Sequence, residues 1–200
     1  MTTTEIEETP EAPEGAVDRP MRADAQRNYD KLVAAARAVF ARESGSASME
    51  AVAKEAGVGI GTLYRHFPKR VDIVEAVYRE DVDELVQSAE KLNANEAPWA
   101  ALTGWLRAFV RYARSKRTFL TELHEAFEEN PQLRSESRER IIGAINIVLV
   151  PAQKAGEART DIDGADLMQL LGSMCMSATL TPDQSERLLA MIEDGLQPPR

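Results

Sequence analysis

Apolar residues recur along this chain at three- and four-residue spacing, with no stretch of the strict alternation that marks a half-buried strand. Tyr29, Leu32, Val33, Ala36, Val39 and Phe40 make the first stripe, and Gly45 follows as a stop. Met49, Val52, Ala53 and Ala56 line one face of a second, shorter helix that Ser48 can cap with its hydroxyl and that Gly57 can end. A third helix, about 59–67, places Leu63 and Phe67 inward. Val71, Val74, Tyr78, Val82, Leu85 and Ala89 then predict a long fourth helix. Pro98 opens a fifth, and Phe119, Leu120, Leu123 and Phe127 mark a sixth ending before Asn130-Pro131. A seventh is expected over 132–156, with Pro151 kinking or dividing it. The last two fall at about 162–178 and 182–196, the latter opened by Thr181-Pro182-Asp183-Gln184, a hydroxyl cap with Gln at the capping-box position. The fold class is therefore all-α.

The second and third helices, joined by a tight turn at Gly57, have helix-turn-helix spacing. With Leu63 and Phe67 inward, the outward set on the third helix is Ile60, Thr62, Tyr64, Arg65 and His66. Thr62, Tyr64 and His66 can donate to phosphate oxygens, Ile60 can meet a thymine methyl, and Arg65 can fork onto guanine or phosphate. Gly61 lowers helix propensity by about 1 kcal/mol relative to Ala, which calls for compensation by close backbone approach, either to DNA or to a neighbouring helix.

Charge sharpens this reading only when it is divided along the chain. The whole is −9, which ordinarily argues against nucleic acid. Residues 1–18 carry six acids and no base, whereas 19–70 carry ten Lys or Arg against five acids. Arg19, Arg22 and Arg27 begin that basic region, where they can follow a phosphate backbone or simply be solvated. The remainder is again acidic, so only the region before residue 71 is equipped to neutralise phosphates.

The run AVAKEAGVGIGTLYRHFPKRVDIVEAVY resembles the DNA-binding domain of the TetR (tetracycline-repressor) family, over about residues 28–78. The resemblance implies recognition-helix contacts at Ile60, Gly61, Thr62, Tyr64, Arg65 and His66, and phosphate contacts at Ser48 and Arg70. Gly59 departs from the usual Ser and removes a cap, and Lys69 replaces a small polar cap while adding a positive charge. The expected organisation is an acidic tail without fixed structure at 1–20, a helix-turn-helix DNA-binding domain at 21–70, and a helical ligand-binding and dimerisation domain at 71–200.

Beyond residue 70 the chemistry is quieter. Trp105, Phe109, Tyr112 and Phe127 are candidates to line an apolar pocket, and the resemblance implies an inducer site there. Leu167, Leu171, Met174, Leu188 and Ile192 lie on the stripes of the last two helices, through which family members dimerise. A dimer also suits DNA, because one short helix in one groove makes few base contacts and a two-fold pair reads an inverted-repeat operator. His124 near Glu122, Glu125 and Glu128 reads as a solvated helix face, so no metal and no cofactor are expected. Cys175 is the single cysteine and cannot form an internal disulfide.

No apolar run reaches the roughly 18 residues of a membrane span, and the expected compartment is the cytoplasm. No catalytic residues are assigned, since no nucleophile-base pair or phosphate loop is present. The reading is a homodimeric repressor of a palindromic operator, released by a small apolar or amphipathic inducer. The alternatives are a DNA-binding regulator without an inducer, controlled by a protein partner, and a helical enzyme or carrier retaining a vestigial DNA module.

Overall fold

A computed structural model describes residues 18–43, 47–116, 120–175, 177 and 179–198, with side chains in α1 from residue 23 onward and without that of Leu120. The described residues form nine helices and no strand. α1 (Asp18–Glu43), α2 (Met49–Ala56) and α3 (Ile60–His66) make a head, and α4 (Arg70–Asn95) leaves it. α5 (Pro98–Lys116), α6 (Leu120–Glu129), α7 (Pro131–Lys154), α8 (Gly164–Cys175) and α9 (Pro182–Leu196) complete the body. α1 begins two residues before the limit set for the acidic tail; residues 1–17 of that tail, Gly45 and Phe119 lie outside the described residues, as do the side chains of Arg19 and Arg22.

Local chemistry accounts for the boundaries. Ser48 Oγ accepts the Ala51 amide at 3.1 Å and starts α2. Gly57 ends it at φ 66°, a left-handed conformation that glycine adopts without a Cβ penalty, while Val58 donates to Ala53 O at 3.0 Å. Asn130 Oδ1 accepts from Leu133 N at 3.3 Å, and Pro131 sits at the first position of α7, where its missing donor is harmless. At Thr181 the reciprocal box forms as expected, with Gln184 N to Thr181 Oγ1 at 3.2 Å and Thr181 N to Gln184 Oε1 at 3.0 Å.

Pro151 does not divide α7, which runs on to Lys154. Proline forfeits one backbone donor here, and the helix ends within a turn of it, so little of the ladder is interrupted. α8 starts two residues later than expected, at Gly164, with Asp163 Oδ1 taking the amides of Ala165 and Asp166 at 2.8 and 3.0 Å, and it is described as far as Cys175; residues 176 and 178 of its expected span lie outside the described residues.

Buried side chains form one continuous core from Leu32 in α1 to Leu196 in α9. α4 is the shared wall, packing against α1 on the head side and against α5, α6 and α7 in the body. Its buried Ile73, Val74 and Val77 lie near the head, and Val82, Leu85 and Ala89 lie further along. α4 is thus packed in the head and in the body as parts of one core. No helix is long and apolar enough to cross a membrane among the described residues.

Candidate nucleic-acid interface

On α3 the inward and outward sets separate as helical geometry dictates. Leu63 is 0% exposed and Phe67 3%, whereas Ile60 is 40% and Tyr64 44% exposed, large apolar surface left toward solvent. Arg65 is exposed as well, and its guanidinium is laid along the helix, Nε to Gly61 O at 3.1 Å and Nη2 to Thr62 Oγ1 at 3.2 Å. Those bonds lie in water and can be exchanged for a base edge or a phosphate. Gly59 gives α3 no side-chain cap, leaving the first amides of the helix for solvent or an anion. A Cβ built at Gly61 meets nothing within 4 Å, so no neighbouring helix explains that glycine.

His66 is half-buried. Its ring stands edge-on to Tyr29 at 6.4 Å between centroids, and Tyr29 in turn lies 5.2 Å from Phe67. α1 thus braces the far end of α3 through Tyr29, the first residue of its apolar stripe. Burial, then the Glu80 carboxylate, pushes the Tyr29 hydroxyl above its usual range, keeping it neutral.

The two basic residues at the start of α4 are not free beside α3. Lys69 Nζ pairs with Glu129 at 3.0 Å on an exposed surface. Arg70 points into the junction: it donates to Ala47 O and to Glu122 Oε1 at 2.8 Å, and its guanidinium lies 5.2 Å over the Phe40 ring. Ser48 keeps its exposed position and spends its oxygen on the α2 cap. Ile60, Gly61, Thr62, Tyr64 and Arg65 thus share one face, while Lys69 and Arg70 are tied to α6 in this structure.

In the body, Trp105 is 0% exposed with its indole N–H donated to Leu85 O at 3.1 Å, and Phe109 is buried against it. Tyr112 and Phe127 are half-buried, and both approach Tyr78: Phe127 edge-on at 5.3 Å, Tyr112 through its hydroxyl. Burial and that tyrosine partner hold the Tyr112 hydroxyl well above its ordinary value. Beside it lies a polar knot that the sequence reading missed. Lys116 is 5% exposed, pairs with Asp81 and sits 4.9 Å over the Tyr112 ring, while Arg37 of α1 reaches the same Asp81 at 2.8 Å. Its signal was present: Lys116 continues the 102, 105, 109 register of buried α5 positions.

Between α8 and α9 runs an apolar groove of about 580 Å³. Leu167 and Leu171 are turned inward, 2% and 0% exposed, so the outer wall belongs instead to Leu170, Leu188 and Met191, at 50%, 37% and 68%. Met174 and Ile192 are half-buried and line the groove with them. His124 sits exposed beside Glu128 at 3.4 Å, and Cys175 is buried.

Comparison with known proteins agrees with this geometry at both ends of the chain. Residues 32–77 match the family model described as bacterial regulatory proteins, tetR family, and residues 97–198 match the C-terminal domain of SbtR-like transcriptional regulators. An HTH-type transcriptional regulator of Staphylococcus aureus (strain USA300) is 41% identical over 64 residues, 32% of this chain and 35% of its own length. The chain thus spans about a third of that relative's length. A crystal structure of a TetR transcriptional regulator from Streptomyces coelicolor is 38% identical with a TM-score of 0.73, covering 86% of this chain and 99% of that one. One from Mycobacterium vanbaalenii is 33% identical with a TM-score of 0.68, covering 89% and 99%. RolR, solved in complex with resorcinol, shares the fold at 16% identity and a TM-score of 0.59, over 88% and 90%. With its family model on the body and a 38% identical relative covered almost end to end, this chain belongs to the TetR family of DNA-binding transcriptional regulators, and is not an enzyme.

Proposed function

We propose that the protein is a homodimeric repressor that reads an inverted-repeat operator through α3 and leaves it when a small apolar or amphipathic ligand enters the body. The observation that carries the reading part is the outward face of α3: Ile60 and Tyr64 exposed, Arg65 held only by exchangeable bonds, and Gly61 open to close approach. Residues 21–70 act as the reading unit and 71–200 as the body, working on DNA in the cytoplasm. Ser48, Thr62 and His66 supply phosphate contacts, and Lys69 adds charge once freed from Glu129.

Dimerisation is supported by the groove between α8 and α9. Leu170, Leu188 and Met191 leave a contiguous apolar strip on the surface, which a second copy buries by two-fold packing of the same helices. Release follows from α4. A ligand that shifts the body helices moves a helix whose first turns are packed in the head, altering the distance between two reading units. The pairs from Lys69 and Arg70 to α6 add a second connection along the same route. The resorcinol complex of RolR is consistent with a small aromatic molecule as the class of ligand such a body holds.

One observation favours a regulator without an inducer. Trp105 is fully packed with its N–H satisfied, and Phe109 is buried with it, as in a core. Sequencing DNA fragments selected by the purified protein tests the main reading. An inverted repeat is expected, and titrating small aromatic compounds against that site separates the two forms of control.

A further inference from the structure

Two charges at the junction of α4 with α6 stand at the unfavourable ends of their own helices. Lys69 is the residue before α4, where the helix dipole favours an anion, and Glu129 is the last residue of α6, where it favours a cation. Neither placement helps the helix that carries it. Each is answered across the junction, where Lys69 Nζ meets Glu129 Oε2 at 3.0 Å. The hydrogen bond from Glu129, then its charge, raises the Lys69 ammonium above its ordinary value.

The backbone is anchored on both sides of this pair. Lys69 N donates to Asp72 Oδ2 at 2.7 Å. Asn130, next to Glu129, caps α7 and donates its Nδ2 to Glu75 of α4 at 3.2 Å. The pair's existence therefore follows from how α6 and α7 dock on α4. Its side chains are more than half exposed, and an exposed pair of this kind is weak enough for a phosphate to exchange with it. Arg70, one residue on, differs in kind, since its Glu122 partner is largely withdrawn from water.

Lys69 lies three residues beyond His66, with buried Phe67 between them, so it flanks the C-terminal end of α3. Resting on the reading of α3 as the DNA-contacting helix, we infer that Glu129 is a positioning residue for DNA binding, which competes with operator phosphate for the Lys69 ammonium. The charge that the head offers to DNA then depends on where α6 sits. Because α6 and DNA exclude each other at this ammonium, the coupling runs both ways. A body arrangement that brings Glu129 onto Lys69 weakens binding to every duplex, and a bound duplex loosens α6 from α4. Sequence preference is untouched, since a phosphate contact carries no sequence information.

A double-mutant cycle on the full chain tests this. Lys69→Gln, Glu129→Gln and the two together are measured against wild type on a selected operator and on a random duplex over a salt series. Glu129→Gln is expected to raise both affinities at least threefold at low salt. It should also steepen the slope of log affinity against log salt by about 0.9 for each head that engages. Lys69→Gln alone should change affinity less than twofold, and in the Glu129→Gln background it should remove the whole gain. Glu128→Gln, the same charge change one residue earlier, should stay within twofold of wild type. Without DNA, the Lys69 ammonium followed by NMR should titrate closer to its ordinary value in Glu129→Gln.

A gain from Glu129→Gln that persists in the Lys69→Gln background, or that Glu128→Gln reproduces, means general repulsion and overturns the inference. So does a Lys69→Gln loss of equal size with and without Glu129, which means that Lys69 reaches phosphate unhindered. An ammonium whose titration ignores Glu129 overturns it as well. Arg65→Ala in the same assay separates this inference from the reading it rests on. Lost base discrimination there, without coupling between residues 69 and 129, overturns the inference alone. Coupling in a protein whose base discrimination ignores Arg65 upholds it and refutes α3 as the reader.

Discussion

The Arg70 guanidinium is shared between the two halves of the molecule, donating to Glu122 Oε1 of α6 at 2.8 Å while it also holds the Ala47 carbonyl ahead of α2. The Glu122 side chain is only 13% exposed, so the pair is partly withdrawn from water and its loss leaves a carboxylate poorly solvated. Arg70→Ala is expected to lower unfolding stability by about 2 kcal/mol, read by denaturant titration. A residue that served only as a phosphate contact would leave stability unchanged and alter only the salt slope of DNA binding.

Arg65 predicts the opposite pattern. Its bonds to Gly61 O and Thr62 Oγ1 are exposed, so Arg65→Ala should change stability by no more than about 0.5 kcal/mol. Discrimination against a substituted base in the operator should fall by about 1–3 kcal/mol, measured by fluorescence anisotropy on paired duplexes. Indifference of both affinity and sequence preference would remove Arg65 from the reading face.

At Gly61 the free and bound states are expected to respond in opposite directions. A Cβ meets nothing within 4 Å in the free protein, so Gly61→Ala should stabilise the fold by about 0.5–1 kcal/mol through helix propensity. If the backbone lies against DNA, the same methyl weakens operator binding. A rise in both quantities would place Gly61 away from the contact.

The knot around Asp81 gives a pH test. Burial, then the Arg37 guanidinium, lowers the Lys116 ammonium to about 7 from about 10.5. The folded chain therefore binds fewer protons than the unfolded one between those values, and this group's contribution to stability grows as pH rises through that window and is lost as pH falls back toward 7. Lys116→Met leaves Asp81 paired with Arg37 and should lack that slope, remaining within about 1 kcal/mol of wild type at pH 7 or exceeding it. Asp81→Ala, which strips the carboxylate from both cations, should cost about 3 kcal/mol. Thermal unfolding of the three proteins from pH 6 to 10 decides it.

Met191 and Leu170 test the assembly. Both are exposed in the single chain, 68% and 50%, so Met191→Glu with Leu170→Asp should leave the monomer fold intact by circular dichroism while light scattering shows one subunit in place of two. Wild type scattering as a single subunit at working concentration would refute the dimer.

Local rules carried most of what was legible in the sequence. The Ser48 and Thr181 caps, the left-handed Gly57 and the inward pair Leu63 and Phe67 each follow from a few neighbouring residues, because hydrogen bonds at helix ends and the 3.6-residue repeat are short-range constraints. From them came the order of the helices, the turn between α2 and α3, and the exposure of Ile60, Tyr64 and Arg65 on α3, though not the half-burial of Thr62 and His66.

What only the tertiary structure decided are the partners. Helical spacing says which residues share a side but not what lies opposite, and so Leu167 and Leu171 went inward while Leu170 and Met191 stayed out. Likewise no local rule brings Glu122 to Arg70, Glu129 to Lys69, Tyr29 to His66 or Asp81 to Lys116. Most of these contacts join helices distant in the chain, and their existence depends on how the helices dock, a property of the packed core as a whole and not of any one segment.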